Sequence, residues 1–150
     1  MCTLYSEMCL WDLQDGRCIE NVKTSNIHTS VQSYQLLHTR DIRLICNGYY
    51  PDIHIVHPWS LEVLFTLTSR IQPDWISALC ILRPVKREDD VVLAITNSGT
   101  VKVWTLTGNE AKGNQPVVED ESKQIRCLNA QTLKCCTYNQ RTVLIVCSKY

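Results

Sequence analysis

The segment MCLWDLQDGRCI (residues 8–19) contains the pattern from which the fold of this 150-residue chain is predicted. An apolar run ends in Trp-Asp, a polar turn follows, and a second strand-like run begins at Cys18. The segment IHIVHPWSLEVL (53–64) aligns with it without a gap, 45 residues further on. The shorter segment VKVWTLT (101–107) aligns with both after another 48 residues. Self-similarity at such a spacing indicates a repeat architecture.

The alignment defines three pairs of equivalent positions at the end of a predicted strand. A period near 40 to 45 residues with Trp-Asp at this place is typical of WD-repeat propeller blades, each a four-stranded antiparallel sheet. We expect the indoles to fill the space between blades and to donate their N–H groups, and the carboxylate to accept hydrogen bonds. The structural repeat positions are Trp11 and Asp12, Val56 and His57, and Trp104 and Thr105.

The segments between these positions have room for three further strands each. The continuous apolar runs VVLAI (91–95) and VLIVC (143–147) predict central strands that are buried on both faces. Sustained apolar spacing at three and four residues is missing, so little helix is expected. The acidic stretch VVEDESK (117–123) is predicted to be a solvated loop, with contact to a basic partner as the alternative. The next strand is predicted at IRCLN (125–129).

The fold class predicted from this pattern is all-β, a fragment of a WD-repeat β-propeller with about three and a half four-stranded antiparallel blades. The complete repeat units are placed at about residues 13–57 and 58–105, with partial units at 1–12 and 106–150. Propellers close with roughly four to eight blades. We therefore expect the chain to be part of a larger propeller.

Composition excludes several classes of function. Fifteen basic and fifteen acidic residues give a net charge of zero with no basic block, which argues against nucleic-acid binding. The apolar runs are far shorter than the roughly 20 residues of a membrane span. Nine cysteines form no Cys-x-x-Cys pair, so free thiols in a reducing compartment are expected. The thiols expected to be buried and inert are Cys46, Cys80 and Cys147.

The sequence shows no arrangement that predicts catalysis, a cofactor or a metal. His54 and His57 form His-x-x-His, but residues three apart on a strand point to opposite faces, and no further ligand has suitable spacing. The five glycines are scattered and form no phosphate-binding loop. The protein is therefore predicted not to be an enzyme and to have no cofactor.

Aromatic residues in predicted turns are candidates for protein contact, because aromatics are enriched at interaction hot spots. These residues are Tyr49, Tyr50 and Trp59, which flank the strand IHIV. For Trp59, packing between blades is the alternative, since sequence does not show whether an aromatic in a turn is exposed.

Several strings resemble the N-terminal propeller of the rabconnectin-three beta group, also known as the WD-repeat protein seven group. The strings are SEMCLWD (6–12), DGRCIE (15–20), SLEV (60–63), PDWIS (73–77), VKVW (101–104), ESK (121–123) and QRTVLIVCSKY (140–150). The resemblance implies a cytoplasmic scaffold, peripheral on vesicle or endosomal membranes through its partners. It implies a large WD-repeat alpha chain, subunits of the vacuolar proton-ATPase and Rab regulators as those partners, and regulation of the ATPase's assembly or activity and of vesicle acidification.

The alternative function is a propeller that recognises a peptide or a modified peptide, such as the substrate receptor of a ubiquitin ligase. A modified peptide calls for a cluster of cationic side chains on one rim. The eight arginines are scattered along the chain, which favours the scaffold over this alternative.

Overall fold

The computed structural model describes residues 6–36, 39–71, 73–84 and 86–149. Within these ranges the chain forms twelve β-strands and no α-helix, which confirms the predicted all-β class. No helix in the described part of the chain is long and apolar enough to cross a membrane. The strands are β1 (Ser6–Trp11), β2 (Cys18–Thr24), β3 (His28–Gln35), β4 (Ile42–Gly48), β5 (Tyr50–Val56), β6 (Val63–Leu67), β7 (Ile76–Leu82), β8 (Asp90–Thr96), β9 (Thr100–Leu106), β10 (Asp120–Gln124), β11 (Ala130–Tyr138) and β12 (Arg141–Ser148).

The strands form four antiparallel sheets in which strands consecutive in sequence are always neighbours. Sheet 1 is β1–β2, sheet 2 is β3 to β6, sheet 3 is β7 to β10, and sheet 4 is β11–β12. Two four-stranded sheets thus stand between two two-stranded sheets, as expected for part of a WD-repeat propeller.

The boundaries of the predicted repeat units differ in phase from the sheets. Units 13–57 and 58–105 each contain the last strand of one sheet and the first three strands of the next. The sheets themselves run over 28–67 and 76–124. The partial units, 1–12 and 106–150, include residues 1–5 and 150, which lie outside the described residues. The unit boundaries stay a prediction.

Hairpins β1–β2 and β5–β6 have the same register at the 45-residue offset found in the sequence. Trp11 faces Cys18 in the first hairpin, and Val56 faces Val63 in the second. In both hairpins the register shifts just before this pair. The shift lies between Leu10 and Trp11 in the first hairpin and between Ile55 and Val56 in the second. The same irregularity at equivalent positions gives both hairpins the same bend.

The turns of these two hairpins also agree. The backbone N–H of Asp12 donates to Arg17 O over 2.8 Å, and that of His57 donates to Glu62 O over 2.9 Å. The fifth residue of each turn has positive φ, +69° at Gly16 and +55° at Leu61. Glycine adopts this conformation without strain, whereas leucine does so at a cost. Leu61 is buried, and this burial offsets the cost.

The main core lies between sheets 2 and 3, with smaller clusters between sheet 3 and sheet 4 and between sheet 1 and sheet 2. The main cluster is built from apolar side chains of both sheets and includes Tyr34, Leu36, Ile45, Ile53, Ile55, Phe65, Leu67, Ile76, Leu79, Val92, Ala94, Trp104, Leu106 and Val118. Sheet-on-sheet packing of this kind is how neighbouring blades of a propeller bury their faces.

The two continuous apolar runs differ in burial. VVLAI lies in β8, where six of seven residues are buried. VLIVC lies in β12, where Ile145 is 54% exposed and Cys147 is exposed. The predicted burial of VLIVC, and of the Cys147 thiol within it, is therefore wrong. Sheet 4 packs one face on sheet 3, and no described sheet covers its other face.

The acidic stretch is not a solvated loop, because its second half forms β10 (Asp120–Gln124), the outer strand of sheet 3. The strand predicted at IRCLN (125–129) is wrong, since those residues follow β10 without strand structure. An outer strand has one neighbour, so a polar sequence can form it without an apolar pattern. That is why hydrophobic periodicity did not reveal β10.

Candidate protein interface

Two exposed aromatic rings meet at one end of sheets 2 and 3. Tyr49 lies between β4 and β5, and Trp75 lies directly before β7. Their ring centroids are 5.4 Å apart with a 45° angle between the planes. Tyr49 is 60% exposed and Trp75 is 47% exposed. The two rings form one wall of a depression of about 510 Å³, called here the Tyr49–Trp75 groove.

The position of Tyr49 depends on a close backbone approach at Gly48. The Tyr49 N–H donates to the carbonyl of Ile27 over 3.0 Å, which ties the β4–β5 turn to the segment before β3. A Cβ placed on Gly48 would lie 1.9 Å from this same carbonyl oxygen. Glycine is therefore required for the turn to carry Tyr49 at this place.

The position of Trp75 is fixed by an equivalent contact in sheet 3. The N–H of Asn97 donates to the carbonyl of Trp75 over 2.9 Å, 48 residues after the corresponding contact in sheet 2. Asp74 accepts the Trp75 N–H over 2.8 Å and the Ser98 hydroxyl over 2.7 Å. Although burial raises it, the hydrogen bonds from Ser98 bring the pKa of Asp74 below its usual value. The turn is thus stabilised by a charged acceptor.

The rest of the groove is polar and almost uncharged. Lys149 is the one charged side chain among its lining residues in the described chain. Amides and hydroxyls supply donors and acceptors, from Thr29, Ser77, Asn97, Asn129 and Gln131. An aromatic wall beside adaptable hydrogen-bonding groups suits a polypeptide segment, because its backbone offers both donors and acceptors.

The structure separates the three aromatics predicted as protein contacts. Tyr49 is exposed in the groove, whereas Tyr50 is 6% exposed and points into the protein. Trp59 is 65% exposed in the β5–β6 turn, at the opposite end of β5 from Tyr49, and does not pack between sheets. Sequence reasoning missed Trp75 as a contact residue. Its position in the turn PDWIS, directly before an apolar strand, was the available signal.

The two tryptophans at repeat positions have different environments. Trp104 is 1% exposed, and its Nε1–H donates to the Thr68 carbonyl over 3.1 Å, which joins sheet 3 to the end of sheet 2. Trp11 is 56% exposed, contrary to the expectation that it fills a space between blades. Val56, the equivalent residue of sheet 2, is buried.

The second residue of each repeat pair is Asp12, His57 or Thr105, and in two of these three cases its side chain accepts a hydrogen bond within the turn. Asp12 Oδ1 accepts the Gln14 N–H over 2.7 Å, and His57 Nδ1 accepts the Ser60 N–H over 3.2 Å. Thr105 instead donates its hydroxyl to Glu119 over 2.7 Å, because a long connection replaces the short turn. Asp12 and His57 thus stabilise their hairpin turns.

His28, Tyr50 and His54 form a cluster in sheet 2, in which Tyr50 and His54 are buried and His28 is half-buried. His28 Nδ1 and the Tyr50 hydroxyl are 2.6 Å apart, and the Tyr50 and His54 rings are 4.7 Å apart. Burial lowers the pKa of His28, with a further contribution from His54, and burial alone lowers that of His54. His54 Nδ1 is buried without a hydrogen-bond partner. Neutral imidazoles are therefore favoured here.

Metal-ligating residues and arginines in the described chain bear on the other functions considered from the sequence. No group of three or more His, Cys, Asp or Glu residues there could hold a metal ion. Four arginines, Arg17, Arg43, Arg83 and Arg87, pair with carboxylates of the protein itself. These four side chains therefore do not form a rim of free arginines that could bind a phosphorylated peptide.

Comparison with known proteins finds relatives of this chain. The chain is 35% identical over 139 residues to WD repeat-containing protein 72 of Homo sapiens, a match that covers 90% of the chain. This similarity supports a WD-repeat protein. The proteins of the same name from Mus musculus and Pongo abelii are also 35% identical, each over 138 residues. No protein-family model matches the chain. The chain spans only 13% of the length of the human relative.

Proposed function

We propose that this chain is a non-catalytic WD-repeat scaffold that takes part in regulating the vacuolar proton-ATPase by binding partner proteins through the Tyr49–Trp75 groove. The homology to WD-repeat proteins and the propeller-like sheets support an interaction module. The groove adds a specific surface to this general class, because it combines exposed aromatics with hydrogen-bonding side chains.

The exposed Tyr49–Trp75 pair is the observation that carries the proposal. An aromatic pair that is about half exposed loses apolar contact with water when a partner covers it, which favours binding. The backbone contacts at Ile27 and Asn97 hold both turns in place, so little order has to be gained on binding. Lys149 at the rim favours an acidic side chain or a carboxyl terminus on the bound segment.

The identity of the partners rests on the strings that resemble the rabconnectin-three beta group, such as PDWIS and QRTVLIVCSKY. The relatives found by comparison carry a different name, WD repeat-containing protein 72. We propose the large WD-repeat alpha chain and vacuolar ATPase subunits as the partners, with Rab regulators as further ones. The corresponding location is the cytoplasmic surface of vesicles or endosomes.

The test is affinity purification of the protein from cytosol with quantitative mass spectrometry. We expect the wild type to recover the alpha chain and ATPase subunits, and the double variant Tyr49→Ala/Trp75→Ala to recover at least about tenfold less. The matched variant Trp59→Ala removes an exposed aromatic at the opposite end of β5 and should leave recovery unchanged. Far-ultraviolet circular dichroism confirms that each variant is folded.

Three results would contradict the proposal. Equal recovery by the double variant would exclude the groove, and loss on Trp59→Ala alone would move the interface to the opposite end of the sheets. Recovery of ubiquitin-ligase subunits in place of ATPase subunits would favour the peptide-recognition alternative.

A further inference from the structure

Two cysteines from neighbouring sheets approach each other closely. Cys80 lies in β7, the first strand of sheet 3, and Cys135 lies in β11, the first strand of sheet 4. Their Sγ atoms are 3.1 Å apart, although the residues are 55 positions apart in sequence. Sheets 3 and 4 share no hydrogen-bonded strand pair in the described chain, so this sulfur pair lies where the two sheets meet only through side-chain packing.

The pair is accessible from one side. Both residues line a depression of about 450 Å³ together with Lys134 and residues of β3 such as Gln32 and Ser33. Cys135 is partly exposed, whereas Cys80 is 6% exposed. Burial, with a contribution from Cys135, raises the pKa of the Cys80 thiol to about 12, so Cys80 stays protonated. Because Cys135 is more accessible and Cys80 is protonated, a small oxidant should react with Cys135 before Cys80.

We propose that Cys80 and Cys135 are a redox modification site, at which a hydroperoxide forms a reversible disulfide that joins β7 of sheet 3 to β11 of sheet 4. In the first step the hydroperoxide oxidises the Cys135 thiol to a sulfenic acid and is reduced to the alcohol or to water. In the second step the Cys80 sulfur forms a bond to the Cys135 sulfur. The Cys80 proton leaves with the sulfenic hydroxyl as one molecule of water.

The location gives the bond a structural consequence. Sheet 4 has two strands and packs on sheet 3 mainly through β11 and β7. A covalent link between these strands holds sheet 4 against sheet 3 even when the packing between them opens. A thiol reductant restores the free pair, so the link responds to the redox state of the compartment.

Peptide mapping of the folded protein tests the proposal. The protein is treated with hydrogen peroxide, blocked with N-ethylmaleimide and digested with trypsin, which releases Cys80 in peptide 71–86 and Cys135 in peptide 135–141. We expect these two peptides to be linked, with a loss of two free thiols per chain that dithiothreitol reverses. Because peptide 135–141 also contains Cys136, the variant Cys136→Ser is the matched control and should retain the linkage.

Absence of the linked peptides in folded wild-type protein would overturn the proposal. Persistence of the linkage in Cys135→Ser would also overturn it, since Cys136 would then be the reacting residue. A urea-unfolded sample treated in the same way should give a mixture of linkages. If the folded protein gave that same mixture, the pairing would not depend on the fold, and the proposal would fail.

Discussion

Trp11 and Trp104 occupy the same position of the sequence repeat, yet one is 56% exposed and the other 1%. Trp104 lies in sheet 3, where sheet 2 covers it and supplies the Thr68 carbonyl as its hydrogen-bond acceptor. Trp11 lies in the two-stranded sheet 1, and no described sheet covers its side of that sheet. A neighbouring sheet, rather than the residue itself, therefore determines whether a repeat position contributes to the core.

The two tryptophans provide the largest expected contrast in stability. We expect Trp104→Ala to lower the free energy of unfolding by about 3–5 kcal/mol, because it leaves a large cavity between sheets 2 and 3. Trp11→Ala should lower it by less than about 1 kcal/mol. Urea denaturation followed by circular dichroism measures both values. Equal losses in the two variants would show that sheet 1 is packed as tightly as sheet 3.

A second contrast lies within the outer strand β10. Glu121 accepts the Ser69 hydroxyl over 2.6 Å and the Arg70 N–H over 3.0 Å, and its carboxylate lies 3.9 Å from Lys102 Nζ. Because both side chains of the ion pair are buried, we expect Glu121→Gln to cost about 2–3 kcal/mol. The adjacent Asp120 is half-buried and accepts hydrogen bonds from Ser122, two residues away, and an asparagine oxygen can still accept these, so Asp120→Asn should change stability less. Similar urea midpoints for the two variants would contradict this difference.

Glycine positions sharpen the contrast between close-packed and open backbone. A Cβ at Gly48 would overlap the Ile27 carbonyl oxygen, whereas nothing lies within 4 Å of one at Gly113. We expect Gly48→Ala to cost about 1–3 kcal/mol and to displace Tyr49 from the groove. Gly113→Ala should have no effect. Thermal unfolding measures the stability of both variants, and an unchanged midpoint for Gly48→Ala would mean that the β4–β5 turn can move without cost.

The histidines His28 and His54 predict a smaller, pH-dependent effect. Burial lowers the pKa of His28 and His54 in the folded protein, so the unfolded chain takes up protons first as the pH falls below about 6.5. The free energy of unfolding should therefore decrease as the pH falls from neutral through this value. His54→Leu should reduce this dependence, because it removes one of the two imidazoles whose pKa burial lowers. Urea denaturation at a series of pH values measures this dependence. A free energy of unfolding that increases as the pH falls would contradict the prediction.

The sequence predicted the fold class because the repeat is expressed in apolar patterns and turns. The 45-residue offset between MCLWDLQDGRCI and IHIVHPWSLEVL appears in the structure as a shared register and turn. The pattern did not predict β10, because this outer strand pairs with only one other strand and consists of polar residues. Nor did it predict the exposure of VLIVC, because burial of a strand depends on whether another sheet covers it.

The candidate interface was predicted only in part for a similar reason. Tyr49 is exposed as expected, but its neighbour Tyr50 is buried, because successive residues at the start of β5 point in opposite directions. Trp75 comes close to Tyr49 only through the packing of sheet 3 on sheet 2, since the two residues are 26 positions apart in sequence. Contacts between blades depend on tertiary structure, which local patterns do not encode.

Native-state hydrogen exchange, read strand by strand with mass spectrometry, most directly tests the claim that the neighbouring sheets decide which repeat segments form the core. Amides of β5 and β8, in the two four-stranded sheets, should exchange at least about tenfold more slowly than those of β1 and β12, in the two-stranded sheets. Equal protection of all four strands, or stronger protection of β1 and β12, would contradict the claim.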